Sequence, residues 1–537
     1  MEQPPKNPPL RGMVVALVAL WALLFLPHLR TNPNWYGDEG VWMEVSRTFI
    51  HGDAHVGPVR CDFVFPYPYP PLYPLVNGAL LRLFGNDILV SRALQAATAL
   101  AVAGLLFWIG GRLRDRRFGF LCAAAFLVWP EGVMNFRWAR AHPMAGALAL
   151  ASVGFLIRYV QQKCWRDIAL AGLFCSLTTA TCYWAYPLIA AVVVTALFVK
   201  PEAGAGSRWQ RALVAAATAG GYGALFVVWY ALVEPGGWTR LMEQVARLNH
   251  QAQGMVETLP GFWGEVWRWV RNLMTLWREF PWQGGYGAVR YDFWLAGAGI
   301  GLLVLPAAGF RLWLWFWLLT LSYAVVRGRD GLPFMFYPAT IFAPLLAVGF
   351  GGLLVWIEKV IARLLGERRW LPASASTIAV LVAFGAVSVW GSVTHFRARI
   401  DVLTVRVPAD AEAAACYVNA HSQPQDVVLV PDQLFWLVTT PRAAQMVHAA
   451  AWSEEVTEYF CGALPRDVFL FPCGLQDSRY LVVAAGGTPE QPSGIDAVYW
   501  FRYTSIQRLM ATVHAEQWPV VFRQGDYVVY ANPRVNR

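Results

Sequence analysis

The sequence predicts a mainly α-helical, polytopic membrane protein that carries a small soluble α/β domain at its C-terminal end. Three observations predict it. Hydrophobic residues make up 57% of the 537 residues and charged ones only 14%, against roughly 25% charged in a soluble domain. The apolar residues gather in runs long enough, or nearly long enough, to cross a bilayer. After Thr394 that pattern stops, and short strand-like runs with turn signals replace it. The net charge of +9 first reflects Lys and Arg held on the cytoplasmic side of such a chain, so no nucleic-acid partner follows from it.

The first run, Met13 to Pro27, follows Lys6 and Arg11 and leads into Trp35 without a small-residue cleavage site, so it reads as a retained anchor with its N-terminus inside. Further runs at about 88–110, 118–134, 143–160, 167–181, 183–199, 211–233, 291–310, 312–326, 337–357 and 372–394 bring the total to about eleven spans. The splits near 182 and 311 rest on a polar or charged break alone. Threaded alternately, these spans put four basic clusters on the inside: Arg112, Arg114, Arg116 and Arg117; Arg158, Lys163 and Arg166; Lys200, Arg208 and Arg211; and Lys359, Arg363, Arg368 and Arg369.

That leaves residues 1–394 as a transmembrane module with two substantial outside loops, 30–87 and 234–290, and residues 395–537 as an outside domain. In the first loop Asp38 and Glu39 open a segment in which Val41, Trp42, Val45 and Phe49 recur at helical spacing, predicting an amphipathic helix at the membrane surface with Asp38 in its first turn. An Asp there is also an ordinary helix cap. The run Tyr67-Pro68-Tyr69-Pro70-Pro71-Leu72-Tyr73-Pro74 predicts an extended aromatic wall, with Tyr67 and Tyr69 among the rings available to stack on a sugar. Trp263, Trp267, Trp269 and Trp277 in the second loop suit a helix in the interface. In the last domain a helix is expected over Ala411 to Ala420 and strands over Val427 to Val430 and Tyr480 to Ala484. A hairpin of Trp518 to Phe522 and Tyr527 to Tyr530 is expected around Gly525-Asp526. Cys416, Cys461 and Cys473 fall on the oxidising side, where a Cys461–Cys473 disulfide is one of the open pairings.

Four arginines stand where the positive-inside rule would not put them: Arg137 and Arg140, beside Asn135 and His142, and Arg327 and Arg329, beside Asp330. Headgroup anchoring is the plain explanation for each. Together with the two acids they form a more specific set, a base and cations at the depth of lipid phosphates, to which Arg60 and Arg290 are further candidates. Arginine suits a phosphate because its planar fork gives two parallel hydrogen bonds. A sugar joined through its anomeric carbon to a lipid phosphate carries its own leaving group. It needs a base for the acceptor and cations for the departing phosphate, and no general acid.

On these residues the chain resembles the C-type (GT-C) integral-membrane glycosyltransferases, in particular the group with protein O-mannosyltransferases and lipid A aminoarabinose transferases (glycosyltransferase 39/83-like). The pattern is the Asp38-Glu39 pair after the first span, then Pro70-Pro71-Leu72 running through Asn77 to Leu83 into Phe84-Gly85-Asn86-Asp87 and Ser91-Arg92. The resemblance implies a polyprenyl-phosphate sugar donor and Asp38 as catalytic base; direct displacement of the phosphate would invert the anomeric centre, and a glycan, a lipid and a protein stay open as acceptors. The threading places function on the outside and the composition points to a bacterial inner membrane, so the active site is expected on its periplasmic side. Two departures stand out. Many relatives carry a second acid in the turn where this chain has His142, with Glu131 nearby, and the aminoarabinose transferases have a Glu-Lys pair where this chain has Tyr69-Pro70. No cofactor is required, with a divalent metal as the alternative: His51, Asp53 and His55, near Asp62, are the candidate ligands, but their spacing is loose and a fourth partner is lacking. The competing expectation is a transporter or flippase of a lipid-linked intermediate. Against it, no internal repeat appears and the charges lie in loops rather than mid-span.

Overall fold

The computed structural model describes residues 10–32, 37–51, 70–128, 130–182, 187–199, 207–232, 347–349, 351–356, 409–431, 434–453, 469–484, 486–488, 491–493 and 504–535, with residues 360 and 466 singly besides. The N-terminal part holds the helices α1 (Leu10–Phe25), α2 (Gly37–His51), α3 (Leu72–Phe84), α4 (Ile88–Leu113), α5 (Arg116–Val128), α6 (Pro130–Asn135), α7 (Ala141–Gln162), α8 (Trp165–Thr179), α9 (Pro187–Phe198) and α10 (Arg208–Leu232), and residues 347–349 and 351–356 are helical as well. Two of them, α4 and α7, are long and apolar enough to cross a membrane, and α1, α3 and α9 are shorter apolar helices. The predicted spans from 13–27 to 211–233 coincide with helices. Those at 291–326 and 372–394 lie outside the described residues, as does most of the one at 337–357.

Small residues let the helices close up. A β-carbon on Gly110 would lie 2.6 Å from the Gly119 Cα, so the α4–α5 hairpin depends on glycine at both positions. Buried Leu106 and Ile109 of α4, Phe118, Leu121 and Phe126 of α5, and Val153, Leu156 and Ile157 of α7 form one core with Ala347, Val348 and Leu353.

Three of the predicted basic clusters meet at one end of this bundle. Gln161 Nε2 donates to the Arg112 carbonyl at 3.1 Å, Arg158 pairs with Asp167 at 3.1 Å, and Arg211 donates to the Tyr159 hydroxyl at 3.2 Å. The opposite end gathers the C-terminus of α1 and the N-termini of α2, α3, α4 and α7.

The α3 helix corrects the expected extended wall. It starts at Leu72, and its Leu72 N–H donates to the Ala180 carbonyl at 2.9 Å. Pro74 is tolerated because a first-turn residue has no intrahelical partner for an N–H. At 13 residues it is about 20 Å long, too short to span. Its polar Tyr73 and Asn77 are buried while Leu75, Leu83 and Phe84 are exposed, the reverse of a helix on a water-soluble protein.

The C-terminal part contains helices α11 (Ala409–His421), α12 (Met446–Trp452) and α13 (Thr504–Ala515) and strands β1 (Val427–Leu429), β2 (Ala443–Ala444), β3 (Ser478–Ala484), β4 (Gly486–Thr488), β5 (Gln491–Ser493), β6 (Val520–Gln524) and β7 (Tyr527–Ala531). Five strands form a mixed sheet in the order β2-β1-β3-β7-β6, parallel over β2, β1 and β3 and antiparallel through β7 and β6. Alternation sends Val428, Tyr480, Val482 and Val529 toward α11, and Leu429, Leu481 and Val483 toward α12 and α13. The expected hairpin is present, with Gly525 at φ 51° in its turn. Cys473 is a buried free thiol and Cys416 an exposed one, and Cys461, the other half of the open pairing, lies outside the described residues.

This sheet domain packs on the end of the bundle that carries the N-terminus of α2. Met43, Leu81 and Ile88 share a core with Leu434, Phe435 and Trp436, and Arg30 bridges Asp87 at 3.1 Å and Glu412 at 2.8 Å. Basic end and sheet domain thus lie at opposite ends of the bundle, which the expected topology would set on opposite sides of a bilayer. In a background without native cysteines, a cysteine at Arg114 should be labelled only from the cytoplasm and one at Gln524 only from the other side. Labelling of both from one side would contradict this arrangement.

Candidate active site

Helix α2 is not a surface helix. Glu39, Trp42, Met43, Glu44, Val45 and Ser46 are all buried, so the apolar stripe expected to face lipid faces protein instead. The Trp42 ring meets Tyr73 of α3 edge-on at 5.3 Å and His142 of α7 at 6.4 Å.

The Glu39 carboxylate fixes the start of this helix. Arg92 of α4 grips it with both faces of its fork, Nε to Oε1 at 2.9 Å and Nη2 to Oε2 at 2.7 Å. The Ala139 main-chain N–H adds a third bond to Oε1 at 2.8 Å. Arg92 also donates through Nη1 to the Leu29 carbonyl at 2.9 Å. One buried ion pair thus joins α2, α4, the turn after α1 and the strap before α7, with neither side chain exposed. Charges at such depth require this degree of pairing. Asp38 lies one residue earlier in α2, about 100° around the helix from Glu39 and one turn before Trp42. Its side chain is outside the described residues.

The two arginines of the α6–α7 strap differ. Arg137 donates to the carbonyls of Asn32 (Nε 3.1 Å, Nη2 2.8 Å), Leu24 (Nη1 2.8 Å) and Pro27 (Nη2 2.5 Å). It closes the C-terminal end of α1, where main-chain carbonyls lack helical partners. Burial, and then the charge of Arg92, lower its pKa to about 9, which leaves it cationic at neutral pH. The expected phosphate ligand is therefore occupied as a clamp on α1. Arg137→Ala should cost about 3 kcal/mol of stability by stranding buried carbonyls, seen as a lower melting temperature with polyprenyl-phosphate affinity intact. Lost affinity at unchanged melting temperature would restore the phosphate role.

Arg140 is at the N-cap of α7. Its Nη2 donates to Asn135 Oδ1 at 2.7 Å and its guanidinium lies 4.9 Å from the Trp138 ring centre. Buried His142 follows in a first turn that contains no acid. Arg140 and His142 thus stand beside the α2 N-terminus, under the positive end of a 22-residue helix, a setting suited to an anion, with Trp42 as the adjoining ring. Of the other expected contacts, Arg60, Tyr67, Tyr69, Arg290, Arg327 and Arg329 lie outside the described residues, as do the side chains of His51 and Glu131. Sequence reasoning missed Arg92 as a site residue, although a cation near the start of an apolar span calls for a buried partner.

No family model matches the chain, and no curated protein matches it by sequence. Solved structures do. ArnT from Cupriavidus metallidurans, bound to undecaprenyl phosphate, superposes with a TM-score of 0.53 at 16% identity, over 97% of this chain and 98% of that one. The arabinofuranosyltransferase AftD from Mycobacteria gives 0.53 at 13% identity, over 98% of this chain and 40% of that one. The chain has the GT-C glycosyltransferase fold. A third GT-C structure, the Archaeoglobus fulgidus oligosaccharyltransferase AglB with an inhibitory peptide and a dolichol-phosphate, gives 0.50 at 10% identity over 98% of this chain and 74% of that one. The likeness to ArnT covers nearly the whole chain, bundle and sheet domain alike.

Proposed function

We propose that the protein is an inverting glycosyltransferase that moves a sugar from a polyprenyl-phosphate donor to an acceptor glycan, lipid or protein on the periplasmic side of a bacterial inner membrane. The observation that carries this reading is the Glu39–Arg92–Ala139 clamp. It holds the Asp38 end of α2 beside the acid-free N-terminus of α7, with its Arg140 and His142. Support comes from the ligands of the like-folded structures, undecaprenyl phosphate in ArnT and a dolichol-phosphate in AglB.

In this reading Asp38 takes the proton of the acceptor group, whose atom attacks the anomeric carbon from the face opposite the phosphate. The bond from that carbon to the phosphate oxygen breaks, its electron pair stays on the phosphate, and Arg140 offsets the charge that builds there. Polyprenyl phosphate leaves without protonation. The chemistry needs no metal or other cofactor. A flippase would be expected to place its ionisable groups near mid-span, whereas Arg92 is in the second turn of α4 and Glu39 in the first turn of α2.

The test is a transfer assay with purified protein in liposomes, using undecaprenyl-phosphate hexoses labelled in the sugar and membrane extract as acceptor source. Label is expected to leave the lipid for a product. Label that stays on the lipid while crossing the bilayer would favour the flippase.

A further inference from the structure

A second group of polar side chains lies beneath the site and has no part in the chemistry above. Tyr73 and Asn77 are on one face of α3, and Ser91 and Gln95 on one face of α4, each pair four residues apart. All four are fully buried. The Asn77 Nδ2 donates to Ser46 Oγ of α2 at 2.9 Å. Otherwise their capacity is largely unused: Asn77 Oδ1 and Ser91 Oγ complete no hydrogen bond among the described residues, and the Tyr73 hydroxyl and the Gln95 amide meet only each other, without closing a well-formed bond. Buried polar atoms without partners are rare in folded proteins and mark places where something else binds. The Tyr73 hydroxyl faces the Gln95 amide and lies within electrostatic reach of Glu39 and Arg140, which puts the group against the site.

The kinds of atom say what would fill it. Gln95 offers two donors and an acceptor, Tyr73 and Ser91 each a donor and acceptor, and Asn77 an acceptor. A phosphate oxygen only accepts and an ammonium only donates, so either would leave half of these atoms idle. Hydroxyl groups do both. The edge of Tyr73 against Trp42 supplies an apolar wall for the C–H side of a ring. Resting on the transferase reading, we propose that Gln95, Tyr73, Asn77 and Ser91 form a neutral site that reads the ring hydroxyls of a sugar. The sugar is that of the donor or that of the acceptor, and the chemistry is the same for both.

Gln95→Leu and Tyr73→Phe remove the polar atoms and keep most of the volume. Two titrations separate the sources: undecaprenyl-phosphate glucose, mannose and galactose against bare undecaprenyl phosphate, and methyl hexosides of the same sugars onto protein saturated with undecaprenyl phosphate. The variants should lose about tenfold in sugar-dependent affinity, the scale of one good hydrogen bond. In Gln95→Leu, affinity for bare undecaprenyl phosphate should stay within about twofold, since the phosphate is assigned to Arg140 and the N-terminus of α7. Loss in the first titration assigns the site to the donor sugar, and loss in the second to the acceptor. Gln95→Leu should hold or raise the melting temperature without ligand, because it removes buried unpaired groups; a purely structural Gln95 would do the opposite. Folded variants with both titrations unchanged would mean the group holds only water and would overturn the proposal, as would equal losses for bare and sugar-linked lipid. A wild-type protein that binds none of the lipids would instead overturn the transferase reading, and this inference with it.

Discussion

Asp38→Asn is expected to lower sugar transfer by about 10² to 10⁴, the usual scale for losing a general base, with undecaprenyl-phosphate affinity unchanged. The substitution keeps the shape and removes the charge. Glu39 cannot take over. Its two oxygens are held by Arg92 and the Ala139 N–H at 2.7 to 2.9 Å, and the group is fully buried. A leaving phosphate needs little push, so a well-placed carboxylate serves even if it is a weak base. Rates at saturating donor, measured beside donor binding, check the expectation. Transfer surviving in Asp38→Asn but lost in Glu39→Gln would reverse the two roles.

The second large effect is structural. Arg92→Ala leaves the Glu39 carboxylate buried without its ion pair, a change that typically costs about 3 to 5 kcal/mol, and should lower both melting temperature and transfer. Replacing both partners with apolar residues of similar size, Glu39→Leu with Arg92→Met, should recover much of the stability, because such pairs gain little net free energy over packing. It should not recover transfer if the three-way bond to Ala139 is what positions Asp38. Chemical denaturation of the single and double variants measures the coupling. A double variant no more stable than Arg92→Ala would show that the pair is not acting as a unit.

Much of this was legible in the sequence, and what was not has physical reasons. Apolar run length placed α4 and α7 within a few residues, and alternation with turn signals placed β1, β3, β6 and β7. The two-residue β2 is too short to show a period, and α12 and α13 lacked a signal that was read. Apolar spacing on α2 is the same whether its stripe meets lipid or protein, so the burial of Trp42 and Val45 appears only once α3 and α7 are in place. Arg137 and Arg140 look equivalent along the chain. They differ because one reaches the open carbonyls of α1 and the other the N-cap of α7. The sugar-facing polar atoms of α3 and α4 were hidden for a related reason: Tyr73 follows two prolines, which argued for extended chain until the helix start made Tyr73 and Asn77 share a face.

Direct displacement on the anomeric carbon, with a polyprenyl phosphate leaving, fixes the stereochemistry of the product. With undecaprenyl-phosphate sugar of defined anomeric configuration, the anomeric proton coupling of the product, read by NMR, should show inverted configuration, with free undecaprenyl phosphate released in equal amount. A product that retains the donor's configuration, or release of lipid phosphate without any glycosylated product, would contradict direct displacement.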